Sequence, residues 1–428
     1  MSQYDAIIIG SGPAGATVAL VMARAGLRAI MIDREEHPRH RVGESLMPRV
    51  LQLLTELDLE NVVRTLPHVD KVGGEFVLSH EEEGFIADFS KAWPLGELRA
   101  INVDREPFDA AICAEAVAAG AELRTPATVD HIETLTDGHV ALVVNGEKLE
   151  GRCLVDCSGT ATVVGRALGI REKIPSMRRG AFYAIATGVK RRPPPLHGLV
   201  VGVLADDGWF WTIPIDDERT SVGVVLEPHV IKEADVPPAA LLQWAIARSP
   251  QMADRCKDAV FPDKNRCVGN FSYRCAPQVG PGYFLVGDAA AFVDPIFSSG
   301  VTMGMVGGQQ VGEHLIAVAK GDYSYEEARR RYQKSWARTS DIFFGLSTLY
   351  YDHSFRELFL SGQNPLNVRK AMLTLLAGHA FRVPWYLRWR LVLLKLFVRL
   401  NRWLPIVRRR ARQRLLDTPP RLPERRET

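Results

Sequence analysis

Apolar residues follow three rhythms along this chain. The first is continuous. Ala6-Ile7-Ile8-Ile9 is apolar throughout, as a strand buried on both faces of a parallel sheet must be. A glycine turn follows at once. Ala16 to Ala25 then predicts a small-residue helix that can lie close to a sheet, ended by Gly26. Arg28 to Ile32 predicts a second buried strand, ending at Asp33. The second rhythm alternates. Roughly residues 73–94 and 178–275 carry apolar and polar residues in turn, which predicts antiparallel strands. Leu199–Leu204, Trp209–Ile215 and Ser221–Val225 read as neighbours joined by turns at Asp206-Asp207-Gly208 and Asp216-Asp217-Glu218. A period of two puts Trp209, Trp211 and Ile213 on one face. The third rhythm is helical. One helix should start near Gly300 and pass Met303, Met305 and Gly307-Gly308. Ser324-Tyr325-Glu326-Glu327 has the form of a capping box and opens an amphipathic helix to about Trp336.

The first unit carries chemistry. Gly10-Ser11-Gly12-Pro13-Ala14-Gly15 lies between strand and helix. Gly10 and Gly12 suit a tight turn and close approach of a pyrophosphate, and Gly15 lets helix and strand pack. The helix N-terminus then points its free N–H groups at the phosphates. Asp33 follows at the distance, about 20 residues, where a carboxylate accepts ribose hydroxyls. Strand, loop, helix, strand and acid together predict a bound dinucleotide.

Four further segments choose between FAD and NAD. Leu154-Val155-Asp156-Cys157-Ser158-Gly159 resembles the strand and turn over the adenosine side in flavoprotein monooxygenases. Tyr283 to Asp288 resembles their later strand, whose aspartate binds the ribityl chain. Val103-Asp104-Arg105 through Phe108-Asp109 matches their V-x-R-x-x-F-D pattern, with Arg105 near the cofactor. Arg41-Val42-Gly43-Glu44-Ser45 matches an R-x-G-E-S segment along the flavin. With Trp209-Phe210-Trp211-Thr212-Ile213-Pro214 (WxWxIP) and Phe292 to Gly300 (FxxPxxSxG), the chain resembles the flavin-dependent halogenases of the phenol and pyrrole branch. These lie within the para-hydroxybenzoate-hydroxylase-like monooxygenase fold.

The resemblance implies an α/β fold with an α+β insertion. A discontinuous Rossmann-like FAD-binding domain would take residues 1–72, 95–177 and 276–330. An antiparallel-sheet substrate domain would take 73–94 and 178–275, roofing the flavin, and a helical C-terminal region 331–428. Cofactor contacts are expected at Gly10, Gly12, Pro13, Ala14, Gly15, Asp33, Arg34, Arg41, Gly43, Ser45, Arg105, Asp156, Gly159, Gly287, Asp288, Pro295 and Gly300. The start of the helix near Gly300 doubles as a halide cradle, with Ser298, Ser299, Gly300 and Val301 as its members. Lys71, in Lys71-Val72-Gly73-Gly74-Glu75-Phe76, stands where the family's K-x-G-A-x-F segment holds hypohalous acid. Gly74 replaces the usual alanine. Trp209, Trp211 and Pro214 would separate flavin from substrate. The implied reaction joins reduced FAD, O2 and chloride or bromide to halogenate a small aromatic, phenol or pyrrole, free or carrier-bound. No second glycine fingerprint is present, so a separate flavin reductase is expected. An aromatic hydroxylase, a geranylgeranyl-reductase-like enzyme and a non-catalytic flavoprotein docking to a carrier or membrane remain as alternatives.

Composition narrows the rest. The chain has 428 residues, 46% hydrophobic and 24% charged, as soluble globular proteins do. A net charge of +3 is too small to argue for nucleic acid, and none is expected. Six cysteines show neither CxxC nor zinc spacing, so no metal is expected and the thiols read as reduced. With no apolar run fit to cross a bilayer and no cleavable leader, a cytoplasmic protein is expected. Thr348-Leu349-Tyr350-Tyr351 and Phe355–Phe359 are aromatic enough to wall a substrate pocket. From Phe381 to Leu416 there is no acidic residue. That segment reads either as a basic amphipathic helix for a membrane surface or acidic partner, or as a core helix with solvated arginines.

Overall fold

Residues 6–9 form the middle of a six-stranded sheet in a computed structural model that describes residues 4–81, 83–93, 98–361, 367–381 and 383–421. Pro94, an expected domain boundary, lies outside the described residues, as does the polar tail from residue 422. In order across the sheet run Val279–Gly280, Tyr283–Leu285, Leu154–Asp156, Ala6–Ile9, Ala29–Ile32 and Glu122–Arg124. All neighbours are parallel except the first pair. The apolar run is continuous because the strand Ala6–Ile9 is buried along its whole length.

Helix Pro13–Arg24 packs on that sheet, and Gly300–Lys320 packs on that helix and on the turn Gly287–Ala289 that follows the sheet. Glycines set their spacing. A Cβ on Gly308 would lie 2.6 Å from the Ala14 carbonyl oxygen, and one on Gly312 2.8 Å from Val21 Cγ1. Gly304, Gly308 and Gly312 recur every four residues, so they share one face. Backbone therefore meets backbone, and the two helix N-termini come to the same side of the sheet.

The alternating segments form a seven-stranded sheet. Its order is Arg266–Gly269, Gly180–Thr187, Arg219–Leu226, Gly208–Pro214, Val200–Ala205, Gly73–Leu78 and Phe85–Asp88. Five of its six neighbouring pairs are antiparallel as expected, but Gly73–Leu78 pairs parallel to Val200–Ala205. The chain between those two passes through the nucleotide-binding half, so no hairpin fixes their sense. The period of two holds on the central strand. Trp209, Trp211 and Ile213 join the core shared with the nucleotide-binding half, while Phe210 packs behind with Val222, Val224 and Leu242.

Two helical expectations change. The helix capped by Ser324 runs to Tyr350 rather than to Trp336. Tyr332, Trp336, Phe343, Leu346 and Tyr350 keep its buried stripe going. The basic terminal segment is helical only over Trp385–Trp403. Beyond it the chain crosses to the seven-stranded sheet, where Leu415 donates its N–H to Asp207 Oδ1 at 2.8 Å and is wholly buried.

One ion pair on the outer face of that sheet is a test of its assembly. Glu75 is fully buried and accepts from Arg192 at 2.6 Å and Arg255 at 3.3 Å. Burial pushes its carboxyl up, but the two guanidiniums outweigh this and hold it below the usual range. Glu75→Ala strands the buried Arg255 and should cost about 3 kcal/mol or more. Arg192→Ala, at the half-exposed partner, should cost about 1 kcal/mol. A depressed carboxyl pKa adds stability above its unfolded value and loses it as pH falls. Urea titrations should therefore show the Glu75→Ala deficit at pH 7 shrinking below about pH 4.

Candidate active site

The loop after Ala6–Ile9 turns at Gly10, which has φ +99°. A Cβ on Gly15 would sit 1.9 Å from the Gly10 carbonyl oxygen, so only glycine lets the helix start there. Gly12 is the N-cap and Pro13 occupies the first turn, with no side chain capping the free N–H groups. Asp33 lies at the end of its strand, but its Oδ2 is already engaged. It accepts from Ser11 N and Oγ at 2.8 Å each and from Arg39 at 2.6 Å. Arg39 also approaches Asp109 at 3.6 Å. Sequence reasoning passed over Arg39. Only the folding of residues 33–39 back on the loop brings it in.

Other expected contacts have structural occupations. Asp156 is fully buried and accepts the N–H groups of Ser158 at 2.9 Å and Val164 at 2.7 Å, so its carboxylate organises the turn. Gly159 follows it at φ +61° with open space where a Cβ would be. Arg34 and Arg41 both pair with Glu35, and Arg34 is largely exposed. Arg105 is buried and bonds Asp109 through two nitrogens, at 2.7 and 2.9 Å, and the Val42 carbonyl at 2.7 Å. The V-x-R-x-x-F-D pattern is thus an i, i+4 ion pair.

At the other end three segments converge on the helix Gly300–Lys320. Gly287, at φ +60°, presses on Gly304, where an added Cβ would lie 2.9 Å from Cα. This sets Asp288 at the helix start, its Oδ1 3.5 Å from a Cβ built on Gly300. Burial pushes the Asp288 carboxyl up to about 6, against the pull of Arg105. Gly43, at φ +113°, faces Arg105 and Val301. Pro295 opens a short 3-10 turn, and Ser298 adopts left-handed φ +54°, unusual for a serine. Ser299 is the N-cap and makes no side-chain cap bond. Ser298 N–H is spent on the Pro295 carbonyl at 3.0 Å, so its hydroxyl alone is left for an anion.

These residues fit a flavin dinucleotide. Two helix N-termini lack side-chain caps, and a Cβ on Gly12 would meet only the Arg39 guanidinium, at 3.8 Å. His37 Nδ1 and Arg39 Nε, on side chains that bond Ser11 and Asp33, and Glu44 Oε1 and Thr302 Oγ1 are buried without partners among the described residues. Such orphans are costly unless a ligand satisfies them.

Beside the second helix start lies a cavity of about 510 Å3, open solvent at its mouth included. Trp209 and Trp211 line it, with Phe76, Phe297, Ser298 and Lys71. The two indoles are 5.7 Å apart and buried. Trp211 lies across Gly223, where a Cβ would come within 2.1 Å of its ring, and donates to Ser221 Oγ at 3.1 Å. Trp209 donates to Tyr351 Oη at 2.9 Å, and Tyr351 donates to Asp294 at 2.5 Å. Pro214 ends the tryptophan strand opposite Thr220 and is not among the cavity-lining residues. The aromatic run 348–351 stands one layer back: Tyr350 packs edge-on against Trp209, Phe76 and Phe297.

Lys71 is only 5% exposed. Its Nζ donates to Ser45 Oγ at 2.8 Å and the Leu46 carbonyl at 3.1 Å, and lies 5.4 Å from the Phe89 ring centre. None of these partners is a carboxylate. Burial alone lowers its pKa from 10.5 to about 7. Ser45, expected at the cofactor, is therefore also the partner of Lys71. Among the described residues no cluster of metal-ligating side chains occurs, and the six cysteines form no disulfide.

A family model described as "FAD binding domain" matches residues 3–338. A 1H-pyrrole-2-carbonyl-[peptidyl-carrier protein] chlorinase of Pseudomonas fluorescens is 29% identical over 385 residues, covering 81% of this chain and 85% of that protein. A brominase of the same carrier-bound pyrrole from Pseudoalteromonas luteoviolacea is 28% identical, covering 89% of this chain and 93% of that one. Among solved structures, the flavin-dependent brominase Bmp2 superposes with a TM-score of 0.80 at 25% identity, covering 93% of this chain and all of that chain (100%). A flavoprotein/dehydrogenase from Cytophaga hutchinsonii gives 0.83 at 25% identity, covering 94% and 99%.

The buried lysine predicts a measurable trade. A folded pKa near 7 against 10.5 means that the fold pays for charging Lys71 at and below pH 7. That cost fades as pH rises towards 10, where the unfolded lysine also loses its proton. It is roughly 4 kcal/mol at pH 7, offset by two hydrogen bonds worth about 1 kcal/mol each. Lys71→Met should thus raise stability at pH 7 by on the order of 2 kcal/mol. Denaturant melts at pH 7 and pH 10 should show the gain disappearing at the higher pH. Equal melts at pH 7 would show that Lys71 is not desolvated.

Proposed function

The chain belongs to the FAD-binding-domain family and is an FAD-dependent enzyme of oxidoreductase type. On that premise we propose that it halogenates an electron-rich aromatic, a phenol or pyrrole, with hypohalous acid made from chloride or bromide. The observation that carries this reading is Lys71. It is a desolvated lysine with no acidic partner among the described residues, in a cavity lined by two tryptophans and by Ser298, just before the helix Gly300–Lys320.

Bound reduced FAD supplies the oxygen chemistry that turns halide into hypohalous acid. The chain's own residues do the rest. The N–H groups of Gly300 and Val301 have no helical acceptor and no side-chain cap, so they favour an anion beside the Ser298 hydroxyl. Trp209 and Trp211 are large and fixed by hydrogen bonds, so they exclude a ring while letting a small oxidised halogen pass. Lys71, poised near neutrality, holds that species by hydrogen bonding, or its free amine takes the halogen on Nζ as the oxygen–halogen bond breaks and water leaves, then hands it to the ring in exchange for a proton. A carrier-bound pyrrole fits the activities named for the two relatives. A separate reductase fits the single glycine fingerprint. Among the described residues no helix is long and apolar enough to cross a membrane.

With FAD, a flavin reductase, NADH, bromide and a phenol panel, products should gain halogen mass. Lys71→Ala should lower halogenation at least 100-fold, the scale of a lost general acid-base group, while oxygen consumption continues. Trp211→Ala should keep halide oxidation but release hypohalous acid to a scavenger. Ser298→Ala should mainly raise the halide concentration needed. Products carrying added oxygen, or added hydrogen, would replace this reading with a hydroxylase or a reductase.

A further inference from the structure

The helix Trp385–Trp403 has one buried face and one exposed face. Leu387, Leu394, Val398 and Asn401 are buried against the body. On the opposite side Trp385, Trp389, Val392, Leu396, Leu400 and Trp403 all face solvent. They are spaced by three or four residues, so they form one stripe along the whole helix. Trp385 is 78% exposed and Trp403 85%. A 19-residue helix is about 28 Å long. Soluble proteins seldom leave a continuous apolar strip of that length in water.

The charge beside the stripe says what covers it. Arg388, Lys395 and Arg399 follow one flank, exposed, with no ion-pair partner among the described residues. The arginines nearer the body are neutralised: Arg402 by Asp352 and Arg409 by Glu357. No acidic residue occurs between Phe381 and Leu416. A second copy docking by two-fold symmetry would bring this cationic flank towards itself. An apolar strip with tryptophan at both ends and cations alongside suits the boundary between acyl chains and headgroups.

We propose that this face seats the protein on an anionic membrane surface. The helix lies in the plane of the interface, with Trp385, Trp389, Leu396 and Trp403 entering the acyl boundary and Arg388, Lys395 and Arg399 meeting anionic headgroups. It cannot insert across the bilayer, because its other face is part of the core. The inference does not depend on the halogenation reading.

Deleting the segment is the wrong test, since Leu415 and the residues around it complete the sheet domain. Face-directed substitutions leave the packing untouched. The FAD-loaded full chain should co-sediment with vesicles of phosphatidylcholine and phosphatidylglycerol, and much less with phosphatidylcholine alone. Raising salt should release it in part. Trp389→Ser with Trp403→Ser should weaken partitioning roughly tenfold or more. Arg388→Glu with Lys395→Glu and Arg399→Glu should remove the preference for the anionic lipid. Each variant should keep wild-type FAD absorbance and melting temperature. Wild-type protein left in the supernatant with anionic vesicles would overturn the proposal. So would a dimer in solution that the Trp389→Ser/Trp403→Ser variant converts to monomer, or binding to an acidic carrier protein through this face in place of vesicles.

Discussion

Everything at the site depends on how closely two helices approach. Pro13–Arg24 and Gly300–Lys320 touch through Gly304, Gly308 and Gly312 on one and Ala14, Val18 and Val21 on the other. A methyl group at Gly308 would collide with main chain, which cannot move aside. The contact fixes the angle and offset of both helices on the parallel sheet. Their first turns, each rich in unsatisfied N–H groups, then lie on one side of the sheet. In the proposed reading the first suits pyrophosphate and the second the edge of a flavin ring and a halide. Gly287 extends the same logic by resting on Gly304, which carries Asp288 to the second helix start.

The seven-stranded sheet supplies what the helices cannot, a rigid apolar boundary. Trp211 is held by the missing side chain of Gly223 and by Ser221, both on the neighbouring strand. Trp209 is held through Tyr351, whose hydroxyl donates to Asp294 within the Phe292–Gly300 segment. Burial pushes the Asp294 carboxyl up to about 6, against the hydrogen bond from Tyr351 and the charge of Arg179. That buried acid therefore couples the tryptophan strand to the turn before the helix at Gly300. Arg179 stacks 3.4 Å from the Tyr351 ring centre and closes the group. In the proposed reaction this linkage keeps the barrier in register with the anion site.

How far the sequence discloses this differs from one element to the next. Patterns that arise from local rules were legible. The run Ala6–Ile9, the loop Gly10–Gly15 and the alternation through Trp209–Ile213 each report their own surroundings. What could not be read is what depends on distant pairing. Nothing in Lys71-Val72-Gly73-Gly74-Glu75 shows that Ser45 will receive the lysine, or that Glu75 will meet Arg192 and Arg255. Asp33 and Asp156 stand where cofactor contacts are expected, and the sequence does not show that their oxygens also serve Ser11, Arg39, Ser158 and Val164. The parallel pairing of Gly73–Leu78 was likewise invisible, because strand sense without a hairpin is set only by tertiary packing.

The distribution of charge within the site separates two kinds of chemistry. Around the start of Gly300–Lys320 the polar groups are numerous: Arg105, Asp109, Asp288 and Glu44 gather within one small region. Opposite charges there support one another: Asp109, Glu44 and Asp288 all favour the charged Arg105. In the cavity that the tryptophan pair lines the neighbours are Phe76, Phe89, Val201 and Leu376, and among the described residues lining it the single cationic group is Lys71. With only a hydroxyl and a carbonyl to bond, its ammonium form gains little, and the free amine becomes accessible at neutral pH. A carboxylate beside it would restore the charge and remove that amine. A solvent-exposed lysine would stay protonated for the same reason. The absence of an acid among the partners of Lys71 is therefore a requirement of the proposed step, and the apolar lining of the cavity is what meets it.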